Sequence, residues 1–301
     1  MTRLRTSRHL NSRIVVAIAW LAAVSAIGRA ATYGQTSQQR PEWNRPVAPF
    51  RIVANIHYVG TNELAAYLLT TPAGHILIDG GLPESAPLIE QSIRQLGFKV
   101  EDVKILLTTQ AHFDHVGSMG ALAKVSGGQV MVMDGDREIV EHGGKGDYLF
   151  GDKATFPPTK VARVLHDGTP VTLGGTTLTA HATPGHTRGC TTWTTTAEEA
   201  GRQLAVVFPG STTVNPGTRL VHDESYPGIK ADYEKAFATL ASLKADVFLG
   251  AHTGFFDLAG KRERLERGEK PNPFIDPAGY QAWVATTKAN FDKLVAEERR
   301  R

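Results

Sequence analysis

Of the 301 residues only one is a cysteine, Cys190, which excludes an intrachain disulfide framework and a cysteine-rich structural zinc module. Charge is sparse and balanced. Lys+Arg number 33 against 30 Asp+Glu, and charged residues make up 21% of the chain. That balance excludes a disordered polyelectrolyte and a strongly basic nucleic-acid binder. A membrane-spanning run is also missing: the apolar stretch Ile14–Ile27 has 14 residues, too few to cross about 30 Å of hydrocarbon comfortably. What is present is a 41% hydrophobic chain with 30 Gly and 16 Pro, long enough for one large domain or two small ones with an ample core.

The charges are unevenly placed. Arg3, Arg5, Arg8 and Arg13 precede Ile14–Ile27, and small residues follow at Ser25-Ala26 and Ala30-Ala31. A basic start, a short apolar centre and a small-residue exit form the pattern of a secretory signal peptide. Residues 1–30 are therefore expected to be cleaved and the mature protein exported, to a bacterial periplasm. Val24-Ser25-Ala26 and Gly28-Arg29-Ala30 both suit the cut. Without residues 1–30 the chain carries 28 basic against 30 acidic residues, a net of −2. That near-neutral balance offers no electrostatic case for nucleic acid or a membrane surface.

Residues 31–49 read as a polar lead-in and residues 50–301 as one domain with no repeat and no splitting linker. Short β-branched runs at Ile52–Val59, Ala65–Thr70, His75–Ile78, Val103–Thr108, Gln129–Met133, Thr176–Ala182, Leu204–Phe208 and Asp246–Leu249 predict strands. Helical spacing of apolar residues predicts helices over Ser85–Leu96, Ser118–Val125, Asp232–Leu243 and Gly279–Arg300. Strand pairs followed by alternating strands and helices indicate a layered α/β domain. Gly143–Pro158, rich in Gly and charge yet holding Tyr148, Phe150 and Phe156, reads as a long mobile loop of the kind that covers a site.

The chemistry concentrates where strand Val103–Thr108 runs into Thr109-Gln110-Ala111-His112-Phe113-Asp114-His115. Gln110 and His112 are two apart and share a face in an extended segment. Asp114 and His115 continue into a turn before Gly117, which aims them at a second nearby point. Such an arrangement suits two metal ions with nitrogen and oxygen ligands, as two-metal hydrolytic sites require. These ligands favour zinc and also suit iron or manganese. His186 and His252 each lie just past the end of a predicted strand, beside small residues that let a ligand approach. Cys190 is expected to pack as a small apolar residue, and His222 to be an exposed loop residue.

Gln110-Ala-His112-Phe-Asp114-His115 resembles the H-x-H-x-D-H signature of the metallo-β-lactamase superfamily, and Ile76-Leu-Ile-Asp79-Gly-Gly-Leu82 its preceding strand and turn. The segments Ala182–Trp193, Gly210–Gly217, Tyr226–Ile229 and Asn272–Pro277 are similar to subclass B3 metallo-β-lactamases. The resemblance runs from Phe50 to about Ala296. It implies a four-layer αβ/βα sandwich and zinc-dependent hydrolysis of a small-molecule β-lactam by a hydroxide that the metals activate, the basis of resistance to these antibiotics. It implies a first Zn2+ on Gln110, His112 and His186 and a second on Asp114, His115 and His252. Asp114 would also orient the hydroxide, Ser211 and Thr213 would bind the substrate carboxylate, and Asp79 would order the metal ligands from beneath. A monomer is expected. The same constellation also serves lactonases and glyoxalase II-like thioesterases, and a non-catalytic zinc-binding relative is a further alternative.

The departure is Gln110, where most of the family has His. An amide oxygen is neutral and a weaker zinc ligand than imidazole. Limiting zinc should therefore fill the Asp114–His115–His252 position first, and Gln110→His should raise occupancy of the other. Zinc stoichiometry of both proteins checks this, and equal affinity for two ions in each would contradict it.

Overall fold

The computed structural model describes residues 40–301, all within the compact unit Tyr33–Arg301. The expected signal segment 1–30 and the first part of the lead-in lie outside the described residues. The short β-branched runs pair into two sheets. The first contains β1 (Phe50–Val53), β2 (Ile56–Tyr58), β3 (Tyr67–Thr71), β4 (Gly74–Ile78), β5 (Val103–Leu107), β6 (Gln129–Met133) and β7 (Arg163–Leu165), in that spatial order. Its first four strands are antiparallel, and β4 to β7 run parallel. The second sheet has the order β12-β11-β10-β9-β8, formed by β8 (Pro170–Leu173), β9 (Thr176–Ala182), β10 (Thr191–Glu199), β11 (Arg202–Phe208) and β12 (Val247–Phe248).

Alternation along the strands decides what each sheet faces. In β4, Ile76 and Ile78 enter the core shared by the two sheets, whereas Leu77 joins the cluster beneath the helices α1 (Ala86–Gln95) and α3 (Met119–Ser126). Helices α5 (Ile229–Ser242) and α7 (Pro277–Glu298) cover the second sheet, with Trp283 and Tyr280 of α7 packed on Phe248 of β12. The layers are helix, sheet, sheet, helix, as the resemblance implies. Among the described residues no helix is long and apolar enough to cross a membrane.

Three local expectations change. Ile52–Val59 is not one strand: Ala54 turns into the left-handed region at φ 46°, and β1 and β2 fold back on each other. The threonine-rich β10 (Thr191–Glu199) was not expected, although it is β-branched and central in its sheet. The 143–158 loop is tied to the domain by Tyr148, whose OH donates to Gly185 O at 3.0 Å, and is ordered within by Asp147 Oδ1, which accepts from the backbone N–H of Leu149 and Phe150 at 2.8 and 2.7 Å. The lead-in is held at Trp43, whose O accepts from Thr61 Oγ1 at 2.7 Å.

Direction matters most for function. Strands β4, β5 and β6 run parallel, so Asp79, Gln110 and Asp136 all follow carboxyl ends at one edge. Strand β10 is antiparallel to both β9 and β11, and β12 is parallel to β11, so the ends of β9, β11 and β12 also share an edge. Trp193 joins the two edges: fully buried on β10, its Nε1 donates to Thr108 O at the end of β5 at 3.0 Å. Trp193→Phe should destabilise the protein by about 2–4 kcal/mol, through lost volume and an unpaired buried carbonyl. Urea unfolding measures it, and a loss below about 0.5 kcal/mol would contradict that role.

Candidate metal centre

Strand β5 ends at Leu107, and the chain bends through residues 109–112 before one helical turn, α2 (Phe113–Val116), closes with His115 N and Val116 N donating to His112 O. The turn redirects the chain between His112 and Asp114, which separates two groups of donors. Asp114, His115 and His252 bring one ligand atom each within 4.8 Å of one another. His115 Nε2 lies 3.2 Å from His252 Nε2, and Asp114 Oδ2 lies 3.5 Å from the former and 3.8 Å from the latter. In the second group His112 Nδ1 faces His186 Nε2 at 3.1 Å.

The orientation of each ring has a cause. His186 Nδ1 donates to Thr213 O at 2.6 Å, so its Nε2 presents a lone pair. Gly185 reaches φ 131° and lies so close to the Tyr233 ring that a Cβ would meet ring carbon at 2.6 Å, which fixes the backbone ahead of His186. Tyr148 OH, from the 143–158 loop, donates to Gly185 O and lies 3.2 Å from His186 O. His115 Nδ1 stands 3.3 Å from Asp79 Oδ2. Asp79 sits at φ 60°, a conformation Asp tolerates better than most residues, and accepts from Thr109 N at 2.7 Å and Thr109 Oγ1 at 2.6 Å.

Charge follows from this packing. Burial opposes ionisation of Asp114, but His115 and His252 outweigh it and hold the carboxyl well below the ordinary carboxylate range. Burial likewise opposes protonation of His115, yet Asp114 and Asp79 raise its pKa to about 10. Burial and the neighbouring His112 push His186 down to about 3, and burial with His115 pushes His252 to about 4. A divalent cation fits this donor set. Two nitrogens bound tetrahedrally at about 2.05 Å stand about 3.3 Å apart, close to both observed pairs. Such an ion would displace the proton from His115 and relieve the facing lone pairs.

The remaining expected residues are placed as follows. Gln110 is buried, and its Oε1 accepts from Ser211 N at 2.7 Å, which uses one of the two lone pairs a ligating amide oxygen offers. Ser211 Oγ is buried without a hydrogen-bond partner, and Thr213 is exposed. Thr213 contributes its carbonyl to His186, a role that a side-chain motif does not announce. Cys190 is fully buried, with a thiol whose pKa burial raises well above the ordinary range, and His222 is exposed.

Sequence reasoning missed two groups. Trp43, from the lead-in, stacks on Phe113 at 6.5 Å and meets the His252 ring edge-on at 6.1 Å, an apolar wall beside the Asp114–His115–His252 group. Asp136 follows β6 and ties the two ligand loops together: Oδ2 accepts from Ala111 N at 2.8 Å and Thr187 Oγ1 at 2.7 Å, and Oδ1 from Gly189 N at 2.8 Å. Burial raises its pKa to about 6 against the pull of these donors. Only its place after a strand end could have flagged it. Asp136→Asn would turn one acceptor into a donor facing N–H groups, so the metal-free protein should lose about 1–3 kcal/mol in urea unfolding. An unchanged stability would contradict the clamp.

Known proteins share this sequence pattern and fold. Residues 64–252 match the Metallo-beta-lactamase superfamily. The structure superposes on native FEZ-1 metallo-beta-lactamase from Legionella gormanii with a TM-score of 0.83 and 44% identity, covering 85% of this chain and 98% of that one. It is similar to BJP-1, a subclass B3 metallo-beta-lactamase of Bradyrhizobium japonicum, with a TM-score of 0.81 and 38% identity over 88% of this chain and 98% of that one. An N-acyl homoserine lactonase from a Bacillus species is 26% identical over 230 residues, 69% of this chain and 84% of the lactonase. The four layers, the shared strand edge and these matches place the chain in the metallo-β-lactamase superfamily.

Proposed function

We propose that this protein is a zinc-dependent β-lactamase of subclass B3 that opens the β-lactam ring. The observation that carries the reading is the pair of facing imidazole sets at one sheet edge, 3.1 and 3.2 Å across, in a chain 44% identical to a metallo-beta-lactamase along nearly all of that enzyme. His112 and His186, with Gln110, would hold one zinc, and Asp114, His115 and His252 the other. Bound there, zinc supplies Lewis acidity, which lowers the pKa of water and polarises a carbonyl.

The chain's own residues do the rest. Asp114, an ionised carboxylate, would accept a hydrogen bond from the attacking nucleophile and orient it toward the lactam carbonyl. Asp79 holds His115 in place through Nδ1 and so fixes which imidazole nitrogen faces the centre. Ser211, with its unpartnered hydroxyl, and Thr213, exposed at the same turn, would bind the substrate carboxylate. Trp43 and Phe113 offer an apolar face to the substrate side chain and exclude water from one flank. The basic and apolar pattern of residues 1–30 supports export to the periplasm as part of the same proposal.

The lactonase relative favours a second reading, hydrolysis of an acyl homoserine lactone by the same residues. Nitrocefin and imipenem turnover, beside an N-acyl homoserine lactone and with or without EDTA, separates the two. The expected result is chelator-sensitive β-lactam hydrolysis that Asp114→Ala lowers by at least about a hundredfold. Lactone turnover without β-lactam turnover by the zinc-loaded protein would replace this reading with the second.

A further inference from the structure

We infer that Asp147 is a positioning residue for His112: it holds the imidazole at Nε2, leaves Nδ1 facing the first metal position, and ties that position to the 143–158 loop. The inference rests on the reading of His112 and His186 as a metal pair.

Each of the other three histidines meets an oxygen with the nitrogen that points away from the centre. His186 Nδ1 has Thr213 O at 2.6 Å, His115 Nδ1 has Asp79 Oδ2 at 3.3 Å, and His252 has the backbone of Glu63. His112 breaks the pattern. Its Nε2 is buried without a hydrogen-bond partner, while its Nδ1 faces His186. Asp147 Oδ2 stands 3.6 Å from that Nε2, and both side chains are only 6% exposed. This is about half an ångström beyond hydrogen-bond length, a gap that a small loop movement closes.

Asp147 is built to supply the acceptor. Its Oδ1 is occupied by Leu149 N and Phe150 N, which fixes the carboxylate and leaves Oδ2 for His112. The same turn places the Phe150 ring edge-on to the His112 ring at 5.1 Å, so one loop segment sets both the hydrogen-bond acceptor and the packing of this ligand. A carboxylate behind a metal-binding imidazole fixes its tautomer and raises its basicity, and removing one typically weakens metal binding by about 10–100-fold. The effect is greatest where the other ligands are weak, and the Gln110 amide is such a ligand.

Zinc affinity is measured by competition with a chromophoric chelator, and stoichiometry by elemental analysis, for the wild type, Asp147→Ala, Asp147→Asn and Asp152→Asn. Asp152 is the control within the loop: it is exposed and holds Gly146 N, 3.1 Å away. The expected result is two ions in the wild type at saturating zinc. Asp147→Ala should lose about 10–100-fold in the weaker binding step and nothing in the stronger one. Asp147→Asn, which keeps an oxygen acceptor, should recover most of that loss, and Asp152→Asn should match the wild type. Wild-type affinities in Asp147→Ala, or an equal loss in Asp152→Asn, would overturn the inference while leaving the metal pair standing. A wild type that takes only one zinc at saturation would overturn the metal pair itself, and this inference with it.

Discussion

Two pairs of imidazole nitrogens facing each other at 3.1 and 3.2 Å are the constraint around which this structure is arranged. Lone pairs at that distance repel unless a proton or a cation lies between them. A proton that Asp114 and Asp79 hold on His115 against burial can bridge that ring to His252, but at the other pair burial and His112 push His186 down to about 3. A divalent cation satisfies both nitrogens of a pair and also neutralises the buried Asp114 carboxylate. The donors are held in position beforehand by groups that do not themselves reach the centre. Thr213 O, Asp79 and Asp136 are each committed by short hydrogen bonds.

That pre-positioning explains features of the fold that packing alone would not require. Asp79 occupies a left-handed conformation and Gly185 one at φ 131°. The first puts a carboxylate beneath Thr109 and His115, and the second brings backbone against the Tyr233 ring ahead of His186. Strand directions deliver six separate strand ends, three from each sheet, to the site, so the donors arrive from distant parts of the sequence on rigid supports. The Trp193 bond to Thr108 O joins those supports across the two sheets.

Much of this was legible in the sequence, for identifiable reasons. The strands that position the ligands, β4, β5, β6, β9, β11 and β12, are short β-branched runs ended by Gly, Pro or polar residues, so their ends could be read and the histidines assigned to one edge. The Asp114–His115 turn was likewise readable from Gly117. What could not be read depends on distant contacts. Asp136 has no signal beyond its place after a strand end, because its three donors come from positions 111, 187 and 189. Trp43 lies in a polar lead-in and gains meaning only through Phe113 and His252. The 143–158 loop looked mobile by composition, yet a side-chain cap from Asp147 and the Phe150 contact with His112 settle it. The bend at Ala54 escaped because β-branched and aromatic residues dominate the run on either side, and Asn55 was the one turn-forming residue within it.

The central claim is that this sheet edge holds two divalent cations in distinct ligand sets. Anomalous X-ray scattering at the zinc absorption edge, from crystals grown with zinc, tests it without reference to any substrate. The account predicts two anomalous peaks, the stronger among Asp114, His115 and His252 and the weaker between His112 and His186. Zinc absent from either position in crystals saturated with the metal would contradict it.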